Sequence, residues 1–391
     1  MVDLSFTDEE EQFRADLKAW LSANLPASWR EPTYWESMTD DQAFQQRKTW
    51  ENEKALAGFA GIQWPKEYGG RGGSPGMKAI YDEEMRRAHA PNSVNPVGLT
   101  FLGPTVMAIG TEEQKRDIIG PMLRAEQIWC QGFSEPGAGS DLAALQCRAE
   151  LDGDTYVVNG QKIWTTYAVW GDKIFTLVRT SKEESRHAGI SMMLIDMDQP
   201  GVDARPLKQM SGAREFGEVF FTDARVAATD CLGGIGNGWA TAMLLLSFER
   251  GSSAIGQYTE FREGLASIVD VAKKVGRADD PVIRQKLAND LVELECLKYL
   301  SWHILTQTGA GKDLGFEASM TKLQWSETYQ RMWATYDDVM GPSAGVREPE
   351  PGLDLLGHLR EAMWSRSVTI WGGSSQVQRN VVAERVLGLP R

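Results

Sequence analysis

The hydrophobic period of this chain changes twice, and that constrains its fold more than any other feature. Over residues 1–128 apolar positions recur at helical spacing. Thr7 with Glu10 forms a capping box, in which each side chain takes a backbone N–H of the other's end of the first turn. It opens a helix with Phe13, Leu17, Trp20 and Leu21 on one face. Trp64 to Gly73 reads as a loop. Ser74-Pro75-Gly76 starts a helix through Glu83, Glu84 and Arg87, and Thr111 with Gln114 caps another that ends near Gly120-Pro121.

From 129 to 233 the period shortens. Asp152-Gly153-Asp154, between Cys147–Leu151 and Thr155–Val158, is a hairpin signal, and Asn159-Gly160 marks a further turn. Lys173–Arg179, Ile190–Asp196 and Glu218–Phe221 are β-rich runs with no helical pattern between them. Such spacing predicts an antiparallel barrel or sandwich rather than βαβ units. From Gly238 the helical period returns, in runs Trp239–Ile255, Pro281–Thr308 and Ala318–Val339. Long amphipathic helices in succession predict an up-down bundle. The chain therefore reads as α+β in three domains, 1–128, 129–233 and 234–391.

A net charge of −13 argues against nucleic acid or an anionic membrane as the main partner. No stretch approaches the roughly 18 apolar residues that a membrane span needs. The first residues lack the basic and apolar regions of a signal segment, so the expected location is cytoplasmic. Cys130, Cys147, Cys231 and Cys296 have no metal-ligand spacing and are expected to be reduced core thiols. His89, His187, His303 and His358 share no pattern, and no metal site is expected. Gly233 to Gly238 is glycine-rich, but it lacks the βαβ context and downstream acid of a dinucleotide turn.

Two segments stand out chemically. Phe133-Ser134-Glu135-Pro136-Gly137-Ala138-Gly139-Ser140-Asp141 is a small-residue loop with hydroxyls at Ser134 and Ser140. Glu135 and Asp141 are expected to hold it through backbone hydrogen bonds. Spacing alone leaves it open whether the loop lets a ligand approach closely or is a tight crossover between domains. Lys162-Ile163-Trp164-Thr165-Thr166 places a hydroxyl two residues after a large flat ring. A tryptophan alone reads more often as core than as a cofactor shelf, but in an extended segment Trp164 and Thr166 point to the same side, which adds weight to the shelf.

These motifs together resemble the acyl-CoA dehydrogenase family, and the resemblance runs nearly end to end. The others that carry it are Trp64-Pro65-Lys66-Glu67-Tyr68-Gly69-Gly70, Gly110 to Lys115, Asn159 to Thr166, and Gly372-Gly373-Ser374-Ser375-Gln376-Val377-Gln378-Arg379. The resemblance implies a helical domain, a central antiparallel β-barrel and a C-terminal four-helix bundle, usually in a tetramer. It also implies FAD. Trp164 would stack on the isoalloxazine and Thr166 would bond near N5 and O4. Phe133 and Ser134 would contact the ring and ribityl chain, and Ser374 and Gln376 the nucleotide. Ser140 would meet the pyrophosphate or the pantetheine of CoA.

The family's glutamate base usually precedes the final Gly-Thr/Ser-Ser/Thr-Gln run directly, where this chain has Gly372. A minority, including isovaleryl-CoA and long-chain enzymes, carries the base on the first bundle helix in a Leu-Glu-Arg context. Ser247-Phe248-Glu249-Arg250 stands there. On its own, Glu249 reads as an ion pair at a helix surface or domain interface. The resemblance makes it the base, with a pKa that burial would raise toward neutrality. Arg250 would orient the helix or balance charge, and Gly372 would leave room for substrate.

Residues 276–285 and 338–345 depart from the family pattern, and Arg277 is expected to reach the FAD diphosphate across an interface. These departures, with the tail Asn380–Arg391, resemble the branch that degrades steroid side chains, often as α2β2 heterotetramers. The implied reaction is α,β-dehydrogenation of an acyl-CoA with a bulky, branched, cyclic or long acyl chain. Electrons would pass to electron-transferring flavoprotein, in a homotetramer or a heterotetramer. The alternatives are a supporting subunit of a heteromeric enzyme, and an acyl-CoA oxidase or flavin monooxygenase on the same fold.

Overall fold

The computed structural model describes residues 5–249, 254–312, 318–345 and 355–390. Among these residues six α-helices come first: α1 (Asp8–Asn24), α2 (Pro32–Glu36), α3 (Asp40–Leu56), α4 (Pro75–Arg87), α5 (Gly103–Ile109) and α6 (Glu112–Leu123). Thr7, Thr39 and Thr111 form capping boxes with Glu10, Gln42 and Gln114, and Ser74 caps α4. Phe13, Leu17 and Leu21 of α1 are buried against Trp50, Phe59, Met77 and Ile80. Helix α6 does not stop at Gly120-Pro121 but runs on to Leu123. Burial of Met122 and Leu123 holds the last turn although Pro121 offers no N–H.

The central part is one sheet: β1 (Trp129–Gly132), β2 (Arg148–Asp152), β3 (Thr155–Thr166), β4 (Lys173–Arg179), β5 (Ile190–Asp196), β6 (Val202–Leu207), β7 (Phe216–Ala227) and β8 (Cys231–Leu232). The order is β6-β7-β3-β2-β4-β5-β8, with β1 beside β4. The expected β-domain is present and mostly antiparallel, but barrel describes it only loosely, for two reasons. β1 and β2 both meet β4 in parallel, and the sheet is open. One end strand, β6, carries exposed Asp203 and Arg205 and a proline without an N–H, and the other, β8, is two residues long. Charge, proline and shortness all discourage further pairing.

The hairpin between β2 and β3 turns at Gly153-Asp154, as expected. Asn159-Gly160 makes no turn, because β3 runs straight through it with a register slip between Val158 and Gly160. Gly160 has φ +148°, and a Cβ there would lie 2.7 Å from the Cα of Cys147, so glycine serves a bulge at this point.

Helices follow: α7 (Gly238–Glu249), α8 (Ala254–Lys274), α9 (Pro281–Gly309), α10 (Ala318–Met340), α11 (Leu355–Trp364) and α12 (Ser375–Val381). The run expected over Trp239–Ile255 is described as far as Glu249, and α8 has no counterpart among the expected runs. Phe261, Leu265, Leu294, Leu297, Met332, Trp333 and Ala362 form the core of α8–α11. Helix α7 belongs elsewhere. Its Ala242 and Leu245 pack in a core shared with Leu102 and Met122 of the first region and Phe175 and Met192 of the sheet.

Cys130, Cys147 and Cys231 are buried, and burial pushes the Cys147 and Cys231 thiols up to about 11. Cys296 corrects the expectation of a core thiol. It lies with Val292 and Tyr299 on an exposed i, i+4, i+7 stripe of α9. No helix among the described residues is long and apolar enough to cross a membrane.

Candidate functional site

Strand β1 delivers Phe133 into the core, edge-on to Phe175. The chain then folds on itself as Glu135 and Ala138 exchange backbone hydrogen bonds of 2.9 and 3.0 Å. The buried Glu135 carboxylate accepts the N–H of Gln146 at 2.6 Å and of Cys147 at 2.9 Å, which is the loop-holding role expected of it. Asp141 differs. Its carboxylate is exposed and takes the Arg186 guanidinium at 2.7 Å, because no backbone N–H competes for it at the solvent-facing end of the loop. The half-buried Ser134 accepts the Ile163 N–H at its carbonyl, 2.9 Å away, and Ser140 is exposed. Gly137 and Gly139 have no left-handed φ, and a Cβ on either would meet nothing within 4 Å. Neither backbone conformation nor a packed neighbour requires glycine there.

Ile163 belongs to β3, where a second slip against β7 falls between Lys162 and Thr165. Trp164 sits in that bulge at φ +60°, with its side chain 58% exposed. A left-handed conformation costs a residue with a Cβ about 1–2 kcal/mol, and such strain concentrates at functional sites. Burial alternates over Trp164, Thr165 and Thr166 as expected, but on a kinked rather than a plain extended backbone. Thr165 is buried and its Oγ1 meets no hydrogen-bond partner. The edge of Trp164 meets Phe216 of β7, which stacks in turn on Trp364 of α11. Tyr167, also left-handed, donates its N–H to the Glu215 carbonyl at 2.6 Å and closes this end of the strand.

The C-terminal candidates make other contacts. Gly372 and Gly373 have φ of +64° and +83°. The Gln378 amide donates to the Gly372 carbonyl at 2.9 Å, and a Cβ on Gly373 would lie 2.5 Å from that amide nitrogen. The Ser374 hydroxyl accepts the Val377 N–H and caps α12, while Gln376 is exposed. Arg277 pairs with Asp280 at 2.8 Å and donates to the Asp338 carbonyl at 3.5 Å, while Lys286 meets the Asp338 carboxylate. The two departing segments, 276–285 and 338–345, thus touch within one chain. Glu249 is the last residue of α7. Its side chain and the whole of Arg250 lie outside the described residues.

The structure brings the loop and the Trp164 segment together through the Ile163–Ser134 hydrogen bond. Sequence reasoning misses the bulge and Phe216, whose partners lie on other elements, and Gln378, which bonds Gly372 six residues back. It also leaves Lys162 without a role, although a lysine in a run of β-forming residues is a visible signal.

Three family models cover this architecture in order. They are described as acyl-CoA dehydrogenase N-terminal domain (residues 7–126), middle domain (130–224) and C-terminal domain (236–387). The chain belongs to the acyl-CoA dehydrogenase family and is an oxidoreductase acting on acyl-CoA thioesters. It is 41% identical to acyl-CoA dehydrogenase IpdE1 of Mycobacterium tuberculosis, over 97% of this chain and 98% of that one. The solved Tcur3481-Tcur3483 steroid acyl-CoA dehydrogenase is similar at 30% identity and TM-score 0.85, with both chains fully covered. The ChsE4-ChsE5 complex from Mycobacterium tuberculosis is similar at 28% identity and TM-score 0.82, again over the whole of both chains.

The family's cofactor is FAD. The residues present fit it. The Trp164 indole is exposed on a strained bulge, Thr166 lies two residues further along β3, the Ser134 backbone is bonded to Ile163, and the loop backbone at Gly137 and Gly139 is open to close approach.

Proposed function

We propose that this chain dehydrogenates a bulky, branched, cyclic or long acyl-CoA to the trans-2-enoyl thioester, with Glu249 as the base. The observation that carries the base assignment is Gly372. It has no side chain, and its φ of +64° disfavours any residue bearing one, so no carboxylate comes from that position. Glu249 at the end of α7 is the alternative. Its carboxylate takes the α-proton of the thioester as a general base. The missing side chain at 372 also leaves volume for a large acyl group. Arg250 orients the base or balances its charge. FAD, when bound, supplies the acceptor for the hydride that leaves Cβ.

Within this reading Trp164 carries the flat face of the cofactor and Thr166 and Ser134 bond its rim. Phe133 backs the ring from the core. Ser140 meets the pyrophosphate or pantetheine, Ser374 and Gln376 the nucleotide, and Arg277 the diphosphate of a neighbouring site. Electron-transferring flavoprotein takes the electrons, and the enzyme works in the cytoplasm. The word steroid in the name of one similar structure supports a ring-bearing or side-chain substrate.

A second reading has a specific observation behind it. Two similar structures pair two named chains, and Arg277 here is already held by Asp280. The exposed apolar stripe Val292, Cys296, Tyr299 is suited to an oligomer interface. The chain is then one subunit of an α2β2 enzyme, whereas the first reading allows a homotetramer.

Anaerobic bleaching of the flavin by a series of acyl-CoAs tests both readings. The wild type is expected to bleach with large acyl groups and Glu249→Gln is not. Bleaching retained in the variant removes Glu249 as the base. A colourless chain that turns over only with a co-expressed neighbour establishes the second reading.

A further inference from the structure

Lys162 has no assigned part in the reaction, yet it is wholly buried. Its ammonium donates to the Phe133 carbonyl at 3.2 Å and to Glu135 Oε1 at 2.7 Å. The same carboxylate receives the N–H groups of Gln146 and Cys147, and the Glu135 backbone closes the turn with Ala138. One residue further along β3, Ile163 donates to the Ser134 carbonyl. Two residues further is Trp164, on its bulge. Lys162 therefore joins the loop to the strand at the last regular position before the bulge.

Stability alone is a poor reason to keep this pair. Desolvating an ammonium and a carboxylate is costly, and apolar residues of similar volume often replace a buried pair without loss. The pair does give direction. A cation with two fixed acceptors, one of them a carboxylate tied to two further N–H groups, restricts the placement of residues 133–135 against residues 162–166.

We infer that Lys162 is the positioning residue of the flavin site, setting the loop that contacts the cofactor in register with the Trp164 shelf through Glu135 and the Phe133 carbonyl. This rests on the proposed flavin roles of Phe133, Ser134 and Trp164. It assigns Lys162 no contact with FAD.

The test compares the full-length wild-type chain, Lys162→Met, and the double variant Lys162→Met/Glu135→Gln, each freed of flavin and titrated with FAD. Thermal unfolding is measured before titration. The single variant strands the Glu135 charge and is expected to lose stability. The double variant removes both charges and is expected to unfold near the wild-type temperature while binding FAD at least about tenfold more weakly, the worth of a hydrogen bond to a charged group. Its bound flavin should also show an altered visible circular dichroism. Wild-type FAD affinity in the double variant overturns the inference. So does a double variant whose flavin loss only follows its unfolding, because the pair is then merely structural. A wild-type chain that takes up no FAD overturns instead the flavin reading on which the inference rests.

Discussion

Phe216 of β7 and Trp364 of α11 stack with ring planes 9° apart and centroids 5.9 Å apart. The face of the sheet that carries Trp164 is thereby fastened to the C-terminal helices, since Phe216 also meets Trp164 at 6.3 Å and 81°. Each aromatic pair contributes about 0.5–1.5 kcal/mol beyond its burial. Phe216→Leu keeps apolar volume and loses both pairs. It is expected to cost about 1–3 kcal/mol in urea denaturation and to change the tryptophan fluorescence. Unchanged stability would mean that the rings are neighbours without coupling.

Lys54 is buried in the first helical region against Glu51 Oε1 at 3.0 Å and Tyr81 Oη at 3.2 Å. Burial pushes the ammonium down, but the charges of Glu51 and Tyr81 outweigh it and hold Lys54 above the ordinary lysine value. A raised cationic pKa gives stability that is complete below the unfolded value of 10.5 and is lost as pH rises toward the folded one. Lys54→Met leaves a bare buried carboxylate and is expected to cost about 3–5 kcal/mol. Lys54→Met/Glu51→Leu should restore most of that and flatten the alkaline limb. Denaturant titrations across alkaline pH check both.

Asp290 of α9 is buried, and its carboxylate accepts the Thr335 hydroxyl at 2.6 Å. Burial raises its pKa, with the hydrogen bond opposing. The folded protein then holds this proton more tightly than the unfolded chain does. The contribution to stability is greatest in acid and declines as pH climbs from the ordinary 3.8 toward the folded value. An asparagine side chain in its place could accept the same hydroxyl without the charge. Asp290→Asn is expected to unfold at higher denaturant than wild type at neutral pH, with the difference closing in acid.

What was legible in the sequence was local. Thr7 with Glu10 and Thr111 with Gln114 lie three residues apart, and a cap needs nothing beyond its own turn. The Asp152-Gly153-Asp154 hairpin is equally self-contained. The bulges at Gly160 and Trp164 are not, because they exist only against the register of β7, about sixty residues away in the chain. Lys162 finds Glu135 27 residues back, and spacing cannot announce a contact made across a loop. Residue type alone places Cys296 in the core, whereas α9 turns that stripe outward. Proline-bearing β6 and short β8 left open a sheet that strand spacing would equally have allowed to close.

Asp280 bears on Arg277. It caps α9 through the N–H groups of Val282 and Ile283 while holding the guanidinium. Asparagine caps as well as aspartate, whereas alanine costs about 0.5–2 kcal/mol. Asp280→Asn is therefore expected to leave stability nearly unchanged and to tighten FAD binding by freeing Arg277 for a phosphate. Unchanged affinity in a flavin titration retires Arg277 from the site.

Trp164→Gly is expected to relieve about 1–2 kcal/mol of left-handed strain, against about 0.5–1 kcal/mol of added chain entropy. Losing the ring contact with Phe216 offsets a further amount of about 0.5–1.5 kcal/mol, so the flavin-free variant is expected to unfold close to the wild-type temperature, while its FAD affinity falls.

The bulge at Trp164 thereby sets two pressures against each other. Relaxing this one backbone angle relieves strain, and the change that relaxes it also removes the ring proposed to carry the flavin.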